Sequence, residues 1–244
     1  MPEVSPSKYL VTAGWSDVPH LTEEAKQEML SSTLPYLHDA RSKGIPSLGS
    51  GAIYPVEESK FVIEPFELLP WWPRAYGMDV GWDRTAAIWA AWDREADIVF
   101  LYQEHYMGSA VPAIQASSIK SKGPWIPGVI DPASRARGPR DGERLIKDYK
   151  REGLKLSISD NAVDAGIYLV WQRLITGRLK VCSNCVNWLS EFRMYRRDEE
   201  GKIVKKFDHL MDATRYLMLS GLKRARIESD FKREQMDEEE VPTY

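Results

Sequence analysis

The stretch "RAYGMDVGWDRTAAIWAAWDREADIVFLYQEHYM" (74–107) decides the fold. It contains three runs rich in apolar, β-branched and aromatic residues, at 74–82, 86–93 and 97–107. Only "REA" separates the second run from the third. Short runs of this kind divided by turns are typical of β-strands. We therefore predict a meander of three antiparallel strands.

The sequence after the meander alternates between helix and strand patterns. Helix patterns occupy 110–121, 141–153, 161–177, 185–197 and 208–221, and strand patterns occupy 125–134, 154–159 and 178–182. Strands that alternate with helices usually pair in parallel, with helices packed on the sheet. The sequence therefore predicts an α/β fold. Its mixed sheet has three antiparallel strands followed by parallel ones, with helices on both faces.

Length and composition restrict the class of protein. The 244 residues are enough for one large domain, or for one domain with an appendage. The net charge of −3 provides no global basic field, so any nucleic-acid binding must come from local basic patches. No apolar stretch approaches the roughly 20 residues that span a bilayer. The single "CSNC" pair (182–185) lacks the second half of a zinc site.

Three carboxylates occupy comparable places in this pattern. Asp79 ends the first strand in "GMDVG", Asp131 ends the fourth in "GVIDPAS", and Asp212 lies on the last helix in "HLMDATRY". Ligands of open α/β sheets bind in the crevice at strand ends. Carboxylates buried together there need a neutralising cation, and an oxygen-only ligand set favours Mg²⁺ or Mn²⁺. Such a cluster can hold two metals about 4 Å apart and cleave phosphodiesters.

Several neighbours of these acids have open roles. Asp208 lies one helical turn before Asp212, where it is either an N-cap or a further ligand. Asp83 follows the first acid in a turn, where solvent exposure and an indirect link to a metal are both open. His209 either orients a carboxylate, contacts a phosphate or lies at the helix edge. The three principal acids also have simpler interpretations, as turn residues or as part of a solvated helix face.

A family resemblance rests on these same motifs. In this order, "GMDVGWDRTAAIWAAWD", "GVIDPAS" and "DHLMDATRY" resemble the three acidic motifs of the nuclease domain of tailed-bacteriophage large terminase subunits. The resemblance covers roughly residues 54–220 and implies a ribonuclease H-like fold. It implies Asp79, Asp131 and Asp212 as catalytic metal ligands, with Asp208 as a fourth. The implied activity is Mg²⁺- or Mn²⁺-dependent endonucleolytic cleavage of double-stranded DNA during genome packaging, with two metal ions.

The resemblance also implies partners and a domain division. A complete large terminase carries a packaging ATPase with Walker motifs, which this sequence lacks. We therefore expect 1–58 to be a linker or remnant of the ATPase region, 59–221 the nuclease domain, and 222–244 a charged tail. The implied partners are the ATPase domain, the portal protein and the small terminase subunit. We expect a monomeric isolated domain in the host cytoplasm, without membrane attachment and absent from the mature virion.

Basic residues near the acids are candidates for DNA contact. One group follows Asp131 directly and comprises Arg135, Arg137 and Arg140. A second group flanks the loop "RDEEGK" before the last helix and comprises Arg193, Arg196, Arg197, Lys202, Lys205 and Lys206. Contacts from such residues to phosphates position DNA without reading its sequence. The resulting binding is expected to be sensitive to salt.

Three other classes of protein remain open from the sequence. "DVGWDRT" (79–85) is similar to the first phosphate loop of an actin-like or sugar-kinase ATPase, although no second Asp-x-Gly loop follows. A nucleotide-binding assay would distinguish that class. A ribonuclease H-like resolvase or integrase would share the metal site and differ in substrate. A catalytically silent module that docks in a packaging motor would need none of the acids to bind metal.

Overall fold

A seven-stranded sheet forms the centre of the protein. The computed structural model describes residues 3–5, 8–9, 13–31, 33, 38–44, 51–81, 83–132, 141–231 and 233. A separate hairpin comprises β1 (Glu3–Ser5) and β2 (Lys8–Tyr9). The strands of the main sheet are β3 (Val62–Ile63), β4 (Arg74–Val80), β5 (Thr85–Asp93), β6 (Ile98–Met107), β7 (Gly128–Ile130), β8 (Leu156–Ile158) and β9 (Leu179–Cys182). Their order across the sheet is β3-β9-β6-β5-β4-β7-β8.

The predicted meander is confirmed as the central part of this sheet. Strand β5 pairs antiparallel with β4 on one side and with β6 on the other. All other pairings within the sheet are parallel. Every strand except β5 therefore points the same way, so the carboxyl ends of β4, β7 and β8 reach one edge of the sheet.

Helices cover both faces of the sheet, as predicted. The helices are α1 (Glu23–Ser31), α2 (His38–Lys43), α3 (Pro112–Lys120), α4 (Asp141–Arg151), α5 (Val163–Ile175), α6 (Val186–Met194) and α7 (His209–Tyr216). The core on one face joins α5, α6 and α7 to the sheet, and the other core joins α3 and α4. Strand β5 contributes Ile88 to the first core and Trp89 to the second. None of the described helices is long and apolar enough to cross a membrane.

The polypeptide before β4 is tied to the domain more closely than a linker would be. Tyr54 and Val56 are buried in the core that contains α6. Strand β3, which the sequence pattern did not predict, extends the sheet by pairing with β9. The division at residue 58 stays a prediction, but the chain already packs on the domain some residues earlier.

The segment after α7 also remains attached to the domain. A π-helical turn (Leu217–Gly221) continues α7, and Leu222 is buried beyond it. Arg226 then pairs with Arg74 through two backbone hydrogen bonds of 2.7 and 3.1 Å. The first residues of the predicted tail thus lie beside the amino-terminal end of β4.

Helix α7 approaches β4 closely because a glycine faces it. A Cβ at Gly77 would lie 2.0 Å from the Ala213 carbonyl oxygen and 2.9 Å from Leu217 Cβ. Both distances are far below van der Waals contact. Only glycine therefore permits α7 to lie at this distance from the strand.

Two buried or half-buried carboxylates hold the helices on this face in place. Glu104 on β6 accepts hydrogen bonds from the amides of Asn187 and Trp188, at 2.9 and 2.8 Å, at the start of α6. Glu191 on α6 in turn accepts one from the Leu210 amide at the start of α7. Anionic groups at helix N-termini satisfy unpaired amides and complement the helix dipole. The start of α6 is thus bound by a carboxylate on β6, and the start of α7 by a carboxylate on α6.

We predict that Gly77→Ala destabilises the domain by about 3 kcal/mol, because the new methyl group meets a backbone carbonyl that has no room to move. Urea unfolding followed by circular dichroism measures this cost. The control is Gly153→Ala, where φ is +89° but the nearest atoms are 3.7 Å away on Lys120. We expect about 1 kcal/mol there, from the left-handed backbone alone. Equal effects of the two substitutions would contradict the close packing of α7 on β4.

We predict that Glu191→Ala costs about 3 kcal/mol, because it leaves the buried Leu210 amide and the Tyr106 hydroxyl without their acceptor. The matched control is Glu200→Ala, which removes an exposed ion pair with Lys202 and should cost less than about 0.5 kcal/mol. Thermal unfolding of both variants checks the difference. A Glu191→Ala variant as stable as the control would show that this carboxylate does not fix α7.

Candidate active site

Two of the predicted acids lie side by side at the carboxyl end of the sheet. Asp79 is the penultimate residue of β4, and Asp131 directly follows β7. These strands pair in parallel with Met78 opposite Ile130, and the Asp131 amide donates to the Met78 carbonyl at 3.2 Å. The pairing brings both carboxylates to one edge of the sheet.

Helix α7 brings the other two acids to the same edge. Asp212 lies within α7 and Asp208 immediately precedes it, and both side chains are buried. Although Asp208 stands at the N-cap, its side chain makes no capping hydrogen bond. Asp212 lies close enough to Asp79 for their charges to repel. We name the four residues Asp79, Asp131, Asp208 and Asp212 the acidic edge.

Two cationic side chains face the helical acids. Lys205 Nζ lies 3.1 Å from Asp208 Oδ2 and 3.0 Å from Asp212 Oδ2. Arg215 Nη2 lies 2.9 Å from Asp212 Oδ1. Burial favours the neutral amine of Lys205, but Asp212 and Asp208 outweigh it and raise the pKa of this lysine. The Lys205 side chain is 61% exposed and that of Arg215 only 2%, so the lysine is free to exchange its partner and the arginine is not.

His209 faces the strand acids. Its Nδ1 donates to Asp79 Oδ2 at 2.8 Å. Burial raises the pKa of Asp79, repulsion from Asp212 and Asp131 adds to this, and the hydrogen bond with His209 opposes it. The same hydrogen bond raises the pKa of His209, against the effect of burial. The acidic edge therefore concentrates negative charge that attracts cations.

The donor chemistry of the acidic edge fits a hard divalent cation. All four residues offer carboxylate oxygens, the ligands that Mg²⁺ and Mn²⁺ prefer. Asp208 Oδ2 and Asp212 Oδ1 are buried and accept no aligned hydrogen bond from the described residues, although a cation lies near each. As the described side chains stand, no three His, Cys, Asp or Glu residues are grouped closely enough to hold a metal ion. Metal ligation by these acids therefore stays a prediction.

The other residues predicted near the acids are placed differently. Asp83 is exposed in the turn between β4 and β5. Arg135, Arg137 and Arg140 lie outside the described part of the chain. The structure thus leaves their predicted roles untested.

Two arginines of the second basic group bind the segment that precedes β3. Arg193 forms a bidentate pair with Glu58, with distances of 2.6 and 2.7 Å. Arg196 forms an isolated backbone bridge with Ala52. Because Arg193 binds Glu58 through both Nε and Nη2, its first role is to hold the chain before β3 in place.

The remaining members of this group are more open to solvent. Arg197 donates to the Gly201 carbonyl at 2.9 Å and lies 3.4 Å from Asp164. Lys202 pairs with the neighbouring Glu200 on the surface, and Lys206 is exposed. Surface ion pairs of this kind are weak, so these cations are available to a polyanion.

Sequence reasoning missed three buried polar residues at the site. Glu191 binds the start of α7, Arg215 contacts Asp212, and the Tyr216 hydroxyl donates to Asp131 Oδ1 at 3.1 Å. A signal for Glu191 was available, since it follows Trp188 by three residues on the apolar stripe of α6. A carboxylate on such a stripe needs a buried partner. Arg215 and Tyr216 lie within the motif "DHLMDATRY", in which the acids and His209 were the predicted site residues.

Comparisons with known proteins agree on one family. A family model described as Terminase RNaseH-like domain matches residues 76–220. The large terminase subunit of Salmonella phage P22 is 32% identical over 223 residues, which cover 87% of this chain and 44% of that protein. The chain thus spans less than half the length of that relative.

Solved structures agree with the sequence matches. The P22 large terminase nuclease domain superimposes with a TM-score of 0.69 at 30% identity, over 74% of this chain and 97% of that one. The large terminase nuclease of phage G20c, described with bound magnesium, shares the fold with a TM-score of 0.53 at 15% identity, over 71% of this chain and 98% of its own. The predicted ribonuclease H-like fold and family resemblance are confirmed. The chain therefore belongs to the terminase RNaseH-like domain family.

Proposed function

We propose that this chain is a metal-dependent endonuclease that cleaves double-stranded DNA during viral genome packaging. The observation that carries the proposal is that two strands and a helix bring Asp79, Asp131 and Asp212 to one edge of the sheet. Membership of the terminase family supports a packaging-related nuclease role and favours it over the actin-like ATPase alternative.

Asp79, Asp131 and Asp212, with Asp208 beside them, would hold Mg²⁺ or Mn²⁺, and we propose two ions. Such metals lower the pKa of an attacking water and stabilise the leaving oxygen of a phosphodiester. The G20c nuclease, which shares the fold, is described with bound magnesium. For this chain the support comes from its four oxygen donors and from the two buried oxygens without an aligned donor.

Three neighbouring side chains would prepare these carboxylates. His209 holds Asp79 by a 2.8 Å hydrogen bond and so fixes its orientation. Lys205 compensates the helical acids while its exposed ammonium remains able to exchange a carboxylate for a phosphate oxygen. Asp83, exposed in the turn four residues after Asp79, stays a predicted indirect link to the metal.

DNA would approach the acidic edge along the loop "RDEEGK" before α7 and its flanking basic residues. Lys202 and Lys206 are exposed, and the Arg197 guanidinium contacts Asp164 on the surface and the Gly201 carbonyl. Phosphate contacts from such residues position a duplex without base readout. Arg135, Arg137 and Arg140, outside the described residues, remain predicted members of the same surface.

The docking function remains a second candidate, because one exposed aromatic group favours it. Phe66 and Trp71 are 42% and 63% exposed on the segment before β4, while Trp72 stacks on Phe100 with ring centroids 5.0 Å apart. Exposed large apolar side chains often mark contact surfaces. We propose this segment as a contact for the packaging ATPase domain. Contacts with the portal protein and small terminase subunit, a monomeric domain and the host cytoplasm stay predictions.

We predict that Asp79→Asn and Asp212→Asn each abolish cutting of supercoiled plasmid in Mn²⁺ or Mg²⁺, with the fold intact by circular dichroism. Each change removes a carboxylate charge without changing side-chain size. The control is Asp93→Asn, since Asp93 lies at the end of β5 away from the acidic edge and accepts the turn amides of Glu95 and Ala96. Cutting that persists in EDTA, or in either site variant, would contradict the proposal. An unaltered chain that never cuts would refute endonuclease activity for this chain alone.

We predict that the double variant Lys202→Ala and Lys206→Ala weakens binding to a DNA duplex. Two lost phosphate contacts should reduce the slope of log affinity against log salt by about 2. Fluorescence anisotropy with EDTA present measures binding without cleavage. Lys60→Ala, an exposed lysine before β3 at the other end of the sheet, is the control and should change neither quantity. If both variants show the same slope of log affinity against log salt, Lys202 and Lys206 do not contact DNA.

A further inference from the structure

Two adjacent residues of α7 connect the helical acid to the strand acid. Arg215 Nη2 lies 2.9 Å from Asp212 Oδ1, and the Tyr216 hydroxyl donates to Asp131 Oδ1 at 3.1 Å. The two residues also contact each other, since the guanidinium lies 4.7 Å from the centre of the Tyr216 ring. A continuous chain of contacts therefore runs from Asp212 through Arg215 and Tyr216 to Asp131.

Both side chains are buried, and the burial of Arg215 costs free energy. Arg215 and Tyr216 are only 1% and 3% exposed. A Cβ at Gly166 on α5 would lie 2.2 Å from Arg215 Cγ and 2.7 Å from Cδ, so a glycine permits the arginine to lie there. Burying a guanidinium is unfavourable unless a partner compensates its charge. Asp212 outweighs the opposing effect of burial and raises the pKa of Arg215.

The partners of the buried arginine are few. Besides Asp212, its Nη2 lies 3.5 Å from the Tyr216 hydroxyl and its Nη1 3.4 Å from Asn161 Oδ1, and its Nε has no hydrogen-bond partner among the described residues. A group placed only to stabilise the core would be more fully satisfied, because a buried polar group without partners is costly. The few hydrogen bonds of Arg215 therefore indicate that its side chain orients Asp212, rather than that it stabilises α7.

We propose that Arg215 and Tyr216 are positioning residues, which fix the carboxylates of Asp212 and Asp131 relative to each other before a metal binds. The proposal rests on the proposed metal-dependent function and adds the residues that preorganise its ligands. Neither residue needs to touch DNA or metal. Hydrogen-bonding partners of metal ligands commonly change metal affinity about 10- to 100-fold when removed.

The sharpest test is Tyr216→Phe, which removes one hydroxyl and keeps the ring over Arg215. We expect about tenfold weaker Mn²⁺ affinity by calorimetric titration, with a nearly unchanged melting temperature of the metal-free chain. Cutting should recover at saturating Mn²⁺, which a purely structural defect would not allow. The matched control is Tyr76→Phe, whose buried hydroxyl has no partner among the described residues and whose loss should leave Mn²⁺ affinity unchanged.

Two arginine variants extend the test. Arg215→Met should weaken Mn²⁺ binding more than Arg215→Lys, because the lysine keeps a positive charge beside Asp212. If both arginine variants fail to fold, Tyr216→Phe still decides. Wild-type Mn²⁺ affinity in Tyr216→Phe would overturn the proposal.

The Asp212→Asn variant separates this inference from the proposed function. Mn²⁺ binding that is lost in Asp212→Asn but unaffected in Tyr216→Phe overturns only the positioning role. Mn²⁺ binding that survives in Asp212→Asn, or no binding by the unaltered chain, overturns the metal site together with the inference.

Discussion

The contact between α7 and β4 at Gly77 sets how closely the helical acids approach the strand acids. No side chain separates the helix from the strand there, since even a methyl group would lie 2.0 Å from the Ala213 carbonyl. Asp212 precedes that contact by one residue on the helix, and Asp79 follows it by two on the strand. The same approach carries Tyr216 to Asp131. A helix further from the sheet would separate Asp212 from Asp79.

The electrostatics of the acidic edge set a second condition. Two like charges about 4 Å apart repel by about 4 kcal/mol at an effective dielectric constant of about 20. The protein compensates this repulsion with cations of its own, namely Lys205 and Arg215 beside the helical acids and His209 beside Asp79. These partners differ in exposure, since the Lys205 side chain is 61% exposed, that of His209 31% and that of Arg215 only 2%. The domain can therefore fold with its acids assembled and still present them to an external cation.

Local patterns were enough to predict the meander, the alternation that follows it, and the acids at the ends of β4 and β7. Such features depend on residue type and strand direction, which a sequence carries directly. Strand β3 was missed because its two residues are strand only through pairing with the distant β9. The pairing of Arg193 with Glu58 is equally long-range, and the sequence around neither residue indicates its partner. The roles of Glu191, Arg215 and Tyr216 depend on which buried partner each one meets.

The central claim is that Asp79, Asp131 and Asp212 are ligands of a divalent metal. A crystal structure of the chain grown with Mn²⁺, with anomalous scattering recorded to locate the metal, tests it most directly. We expect Mn²⁺ in contact with all three carboxylates, and Lys205 Nζ no longer 3.0 Å from Asp212 Oδ2. At saturating Mn²⁺, an acidic edge without metal, with Lys205 still bound to Asp212, would contradict the account.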